Sequence, residues 1–174
     1  MIDLRSIPSG KEDLDSYEVE HYFQSWSYQP AQSPMRVVSA KGVRFTTEDG
    51  RERLDFSSCF VNHNIGHQDP RVIAAITEQA KTLCAFAPSI STKPRALLAK
   101  MLAEVTPGDL SRAFISTGGT EANEAAVKIC HQYTGRRKML TRYRSYHGGT
   151  ATSMSLSAGD ARGWFQVMGG TEMV

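Results

Sequence analysis

Long apolar runs are the first thing this sequence lacks. No stretch approaches the about 18 consecutive apolar residues that a membrane-crossing helix needs. Cysteine is scarce, with three in 174 residues: Cys59, Cys84 and Cys130. Their odd number argues against a disulfide framework, and their spacing matches no metal-ligand pattern. Charge of one sign is lacking too. Twenty Lys and Arg face 18 Asp and Glu, a net +2 with both signs interspersed, so the expected partners include neither nucleic acid nor a membrane surface. The opening residues, MIDLRSIPSGKEDLDSYE, hold no apolar core of the kind a secretory signal requires. No internal repeat is present, and neither is a G-x-x-x-x-G-K-[ST] nor a G-x-G-x-x-G motif. The expectation is a cytoplasmic protein with reduced thiols and enough chain for one real core.

What is present is a run of local signals. Residues 1 to about 12 read as a loose polar end, and Asp13 to Phe23 as a short helix. Met35–Ser39, Gly42–Thr47 and Arg53–Phe56 read as strands, with Asp49-Gly50 turning the last hairpin because Asp-Gly accepts positive φ. Ser57 to His67 reads as irregular. Within it His63 and His67, flanked by Asn62 and Asn64, resemble a ligand cluster, but H-x-x-x-H on a loop is no zinc pattern without further ligands. No metal site is expected. Pro70 opens a helix with the stripe Ile73, Ile76, Ala80 and Leu83. Pro94 opens another, striped by Leu98, Met101, Leu102 and Val105. Both stripes read as core packing.

The central stretch is FISTGGTEANEAAVK, Phe114 to Lys128. The apolar run Ala113-Phe114-Ile115 ends in Ser116-Thr117-Gly118-Gly119-Thr120. Ala122, Ala125, Ala126, Ile129 and Tyr133 then follow at helical spacing. Strand, glycine turn and helix are therefore expected, with Gly135 closing the helix. Glycine admits close approach of an anion, and the first helical amides point outward unpaired. Together they form a phosphate seat. An ordinary strand–turn–helix unit that binds nothing has the same local pattern, so both readings stand on spacing alone. Glu121 suits the helix dipole but repels a dianion unless it turns away. Lys138 to Tyr143 reads as the next strand of a βαβ unit, which makes the fold class α/β. Tyr146 and His147 sit on the loop after it, at the same sheet edge as the glycine turn. They read either as a surface turn or as a flat phenol, with His147 alongside, that stacks on a heteroaromatic ring.

STGGTEANEAAVK and RYRSYHG resemble, in order, the phosphate-binding and ring-binding segments of the class III pyridoxal-phosphate-dependent aminotransferases. DGRERLDFSS and VNHNIGHQDPRVIAAITEQ resemble the N-terminal part of the same family. The resemblance runs from about Tyr22 to Trp164. SSCFVNHNIGHQ and HYFQSWS look most like the taurine–pyruvate and other ω-amino-acid aminotransferases. The resemblance implies a fold type I architecture, with an N-terminal segment and small hairpin over 1–68. The start of the large, mostly parallel sheet domain then occupies 69–174. It implies pyridoxal 5'-phosphate as cofactor, held by Gly118, Gly119, Thr120, Tyr146 and His147, and a substrate pocket lined by Trp26 and Val61. Trp26 reads equally as a plug between elements.

The implied activity moves an amino group from an ω-amino acid or amine to a 2-oxo acid such as pyruvate, in a homodimer when full length. No catalytic residue is assigned here, because the family's order of motifs puts the Schiff-base lysine and the aspartate beneath the pyridine nitrogen beyond Val174. This chain alone is therefore expected to be inactive. The alternatives are a catalytically inactive chain that binds the cofactor or a partner subunit, an aminomutase of the same family, and a nucleotide-binding α/β domain. The last lacks an acidic residue about 20 positions after the turn to hold a ribose, where the sequence is instead the basic GRRKML.

Overall fold

The computed structural model describes residues 4–25, 27–31, 33 and 35–157. Two compact units divide the chain, Met1–Phe86 and Ala87–Val174.

The first unit begins with helix α1 (Lys11–His21). A three-stranded antiparallel sheet follows, β1 (Val37–Lys41), β2 (Arg44–Thr47) and β3 (Glu52–Leu54), in the order β1-β2-β3. Lys41 pairs with Arg44 and Ala40 with Phe45, and a bulge between Val37 and Ser39 shifts the register. Gly50 takes φ 79° at the β2–β3 turn, the positive angle that the Asp-Gly pair requires. Thr47 is buried; its hydroxyl donates to Asp49 Oδ1 at 2.5 Å and its backbone N–H to the Arg51 carbonyl at 3.0 Å. Arg36 ties α1 to this sheet, with its guanidinium 2.8 Å from Asp15 and 3.1 Å from Glu48.

The segment expected to be irregular has a defined shape. Four consecutive residues, Ser58, Cys59, Phe60 and Val61, take φ of 48°, 50°, 54° and 66°. They form a single left-handed turn, α2 (Ser58–Val61). A left-handed residue other than glycine costs roughly 1–2 kcal/mol, because Cβ crowds the next carbonyl. The Ser57 carbonyl accepts from Val61 N at 2.9 Å, and the Ser58 carbonyl accepts from Asn62 N at 2.9 Å and His63 N at 3.0 Å. Helix α3 (Pro70–Thr82) then starts with Asp69 as N-cap, whose side chain accepts from Arg71 N at 2.9 Å.

The second unit holds α4 (Lys93–Val105), α5 (Gly119–Thr134) and α6 (Ala151–Leu156). Gly135 closes α5 at φ 68°. The expected strands Arg112–Ser116 and Lys138–Tyr143 are not strands among the described residues. A strand exists only where a neighbour supplies a ladder, and neither segment flanks the other. The apolar stripes of α3 and α4 are likewise exposed rather than packed: Ile76 is 63% exposed and Met101 62%. No described element covers either stripe. The buried apolar side chains among the described residues are Val127 and Leu156, where α5 meets α6.

Candidate functional site

The glycine turn and the loop carrying Tyr146 and His147 meet in the second unit. Gly118 is extended at the N-cap of α5, and its carbonyl accepts the first helical bond, from Ala122 N at 3.0 Å. Among the described residues, the amides of Gly119, Thr120 and Glu121 have no acceptor, as expected for the first turn of a helix. A Cβ added at Gly118 or Gly119 would meet nothing within 4 Å. The backbone there is open to a ligand.

Glu121 turns away from this opening. Its carboxylate reaches back to accept from Thr117 N at 2.8 Å and from the Thr117 hydroxyl. Those two hydrogen bonds, the hydroxyl's first, hold its carboxyl below the usual range. The charge that seemed to oppose an anion is engaged behind the turn.

One face of α5 grips the loop. Asn123 Nδ2 donates to the His147 carbonyl at 2.7 Å, and the Thr150 hydroxyl donates to the Glu124 carboxylate. Gly148, buried with φ 135°, lies so close to Thr120 and Ser153 that no Cβ fits. The His147 ring is anchored by its Nε2, 2.9 Å from Thr141 Oγ1. Its backbone N–H donates to Ser157 Oγ at 2.9 Å. Helix α6 starts with Thr150 as N-cap in a capping box with Ser153. Tyr146 follows a backbone held at His147 on three sides, and its hydroxyl lies 3.9 Å from where a Gly149 Cβ would be. Beside this junction is an open cavity of about 500 Å³ lined by Asn123, Val127, Leu140, Thr141, His147 and Leu156 among others.

Of the sequence-derived site residues, the structure brings together Thr120, His147 and the flanks of Tyr146. Gly118 and Gly119 lie at the same helix end. Val61 sits in the first unit at the end of the left-handed turn, 72% exposed. Trp26 lies outside the described residues. The sequence reading missed Asn123, Thr141, Gly148, Thr150 and Ser157. Asn123 had a usable signal: it stands three residues after Thr120 and four before Val127, on one helical face. Of the alanine stripe, Ala126 lines the cavity while Ile129 and Tyr133 are exposed.

The chain is similar to proteins of known family. Residues 27–168 match the family described as Aminotransferase class-III. An acetylornithine aminotransferase of Methanocaldococcus jannaschii is 36% identical over 128 residues, 70% of this chain and 32% of that protein. A leucine/methionine racemase of Thermococcus litoralis is 34% identical over 130 residues, covering 74% of this chain and 29% of the racemase. Among solved structures, taurine:2-oxoglutarate aminotransferase from Bifidobacterium kashiwanohense, in complex with PLP and glutamate, superposes with a TM-score of 0.88 at 35% identity. That match covers 100% of this chain and 38% of the other. The chain belongs to the class III aminotransferase family, and its α/β fold is that of the N-terminal part of fold type I transaminases. It spans about a third of the length of these relatives. Membership sets aside the nucleotide-binding reading.

Proposed function

We propose that this chain supplies the phosphate and ring contacts of a pyridoxal-phosphate-dependent transaminase, which moves an amino group from an ω-amino acid or amine to a 2-oxo acid such as pyruvate. The observation that carries the reading is the open α5 terminus. Three unpaired amides, the Thr120 hydroxyl and two glycines without Cβ form a cradle that fits a phosphate dianion. The Glu121 charge is engaged at Thr117 and does not oppose it. Tyr146 lies on a loop that Asn123 and Gly148 hold to α5, and its phenol would stack on the ring of a bound cofactor, with His147 beside it. When bound, the cofactor supplies an electron sink for chemistry at the donor's Cα. The residues described here bind and orient it. The family resemblance alone supports a substrate-lining role for Val61 and Trp26. The same reading carries a homodimer, a cytoplasmic location and a lysine outside this chain for covalent attachment.

The test is the phosphate. Two or three hydrogen bonds to a charged group are each worth about 1.5–3 kcal/mol. The intact protein is therefore expected to bind pyridoxal phosphate at least about a hundredfold more tightly than pyridoxal. Equal affinities would overturn the assignment. In this chain alone, borohydride is expected to fix no adduct at any single lysine, since Lys93, Lys100, Lys128 and Lys138 are all exposed to water.

A second reading has a specific support in the racemase relative: isomerisation rather than transfer, as in an aminomutase. Taurine, β-alanine and 4-aminobutyrate offered with pyruvate or 2-oxoglutarate separate the two. Transfer consumes the 2-oxo acid in step with the donor, and isomerisation leaves it untouched.

A further inference from the structure

The first unit contains a chain of three titratable side chains that the proposed function does not use. Asp55, just after β3, accepts on Oδ1 from Ser57 N at 3.1 Å and Ser57 Oγ at 2.9 Å. Its Oδ2 lies 2.8 Å from His67 Nε2. On the far side of that ring, His67 Nδ1 lies 2.8 Å from His63 Nδ1. The two imidazoles stand edge-on, with centroids 4.5 Å apart and planes at 82°. The inner members are shielded, His67 at 17% and Asp55 at 12% side-chain exposure, while His63 is exposed. The His67 backbone is clamped to Gly42, with N···O distances of 3.0 and 2.7 Å.

We propose that Asp55, His67 and His63 form a proton-binding site that takes up one proton for the two imidazoles and reports it at the outward nitrogen of His63. The derivation follows from donor counting. The hydrogen bond from His67, then that from Ser57, holds the Asp55 carboxyl below the usual range, so it is ionised and only accepts. His67 Nε2 therefore carries hydrogen. In neutral His67, Nδ1 is then a bare lone pair, and a 2.8 Å contact requires His63 Nδ1 to donate to it. Neutral His63 is thus driven to its Nδ1–H form, with Nε2 bare and facing outward.

Uptake of one proton preserves every contact. The proton bonds to His63 Nε2, the His63 Nδ1–H bond breaks, and an Nδ1–H bond forms on His67. The positive charge comes to rest on His67 beside the Asp55 carboxylate, while His63 stays neutral and its outward nitrogen changes from acceptor to donor. A second proton has no such place. Both Nδ1 atoms would then carry hydrogens aimed at each other across 2.8 Å, so the contact must open.

Among the described residues, the titratable groups that face His67 are Asp55, from the end of β3, and His63, from its own loop. The β1–β2 turn faces it through the uncharged backbone of Gly42. Opening moves the free end of the loop, His63, whose backbone N–H donates to the Ser58 carbonyl at 3.0 Å. The second protonation therefore acts on the left-handed turn that ends at Val61.

The test is a ring-nitrogen NMR titration of the intact protein labelled with 15N-histidine, from about pH 9 to about pH 4. At the alkaline end the expected result is His63 as the Nδ1–H tautomer and His67 as the Nε2–H tautomer. On acidification, the two protons are expected to enter one after the other rather than independently. The first protonates His63 Nε2 and gives His67 the imidazolium signature. His63 in the Nε2–H form at high pH, or two independent one-proton curves, would overturn the proposal. Displacement of the shared proton by one equivalent of zinc, with both Nδ1 signals shifting together, would overturn it in favour of a metal pair. Asp55→Asn is expected to release the Nε2–H tautomer of His67. The wild-type tautomers decide the matter whether or not that variant folds.

Discussion

Asn123 and His147 are 24 residues apart, and the Asn123 side-chain amide donates to the His147 carbonyl at 2.7 Å. This bond joins the helix that opens on the glycine turn to the loop that carries the aromatic ring. Replacing Asn123 with Ala leaves the partly buried carbonyl without its donor, at a cost of about 1–2 kcal/mol. The expected result is roughly a tenfold rise in the dissociation constant for pyridoxal phosphate. Pyridoxal binding should weaken comparably, because the loop rather than the phosphate seat is disturbed. Titration of wild type and variant with both ligands measures this.

Gly148 and Gly119 separate folding from binding. A Cβ at Gly148 would overlap Thr120 Oγ1 and lie 2.7 Å from Ser153 Oγ and 2.8 Å from Thr120 Cβ, at a φ of 135°. Gly148→Ala should cost roughly 2–4 kcal/mol through overlap and backbone strain, seen as a lower denaturant midpoint. A Cβ at Gly119 meets nothing within 4 Å. Gly119→Ala should change stability by under about 0.5 kcal/mol yet place a methyl where the anion approaches. Its expected signature is a selective loss of the preference for pyridoxal phosphate over pyridoxal.

Acid should weaken the first unit in a defined window. Arg71 and the backbone bonds at the start of α3 hold the Asp69 carboxyl down at about 2. Asp55 is held low by His67, and Asp15 by Lys11. A carboxyl depressed in the folded state contributes stability that is full above its unfolded pKa, about 3.9. That contribution is lost as pH falls through the folded value. Stability should therefore drop between about pH 4 and about pH 2. Asp69→Asn should flatten that slope in unfolding curves taken across the window.

Exposed apolar stripes predict self-association of the chain on its own. Ile73, Ile76, Leu98, Met101 and Val105 are all exposed, and exposed apolar stripes of this kind drive aggregation. Light scattering should rise with concentration, and a hydrophobic dye should bind at neutral pH. A sharp cooperative thermal melt of a monomer would contradict this.

Much of the chain was legible because its signals are local. Pro70 and Pro94 mark the starts of α3 and α4, Asp49-Gly50 turns the hairpin, and Gly135 ends α5 with a left-handed residue. Each of these depends on the φ preference or hydrogen bonding of a few neighbouring residues. The glycine turn was legible for the same reason, since unpaired amides follow wherever a helix begins. Illegible were the left-handed turn at Ser58–Val61 and the Asp55–His67 contact, since serine, cysteine, phenylalanine and valine carry no local preference for positive φ. Strands were overread at Arg112–Ser116 and Lys138–Tyr143, because a short apolar run reports suitability for a sheet while the partner that completes it is not encoded nearby.

The sequence by itself placed α1 two residues late but determined where α3, α4 and α5 begin and end, that α5 opens on a bare glycine terminus, and which family the motifs belong to. Tertiary structure alone decided which face of that helix is used. Asn123 and Glu124 bond to the loop and Val127 is buried, while Ile129 and Tyr133 at the end of the alanine stripe are exposed. It also decided that Gly148 must lack a side chain and that Asp55 meets His67. The physical reason is separation along the chain: helix ends and turns are settled by neighbours within four residues, whereas these contacts join residues 12 to 28 positions apart and exist only once the backbone has brought them within bonding distance.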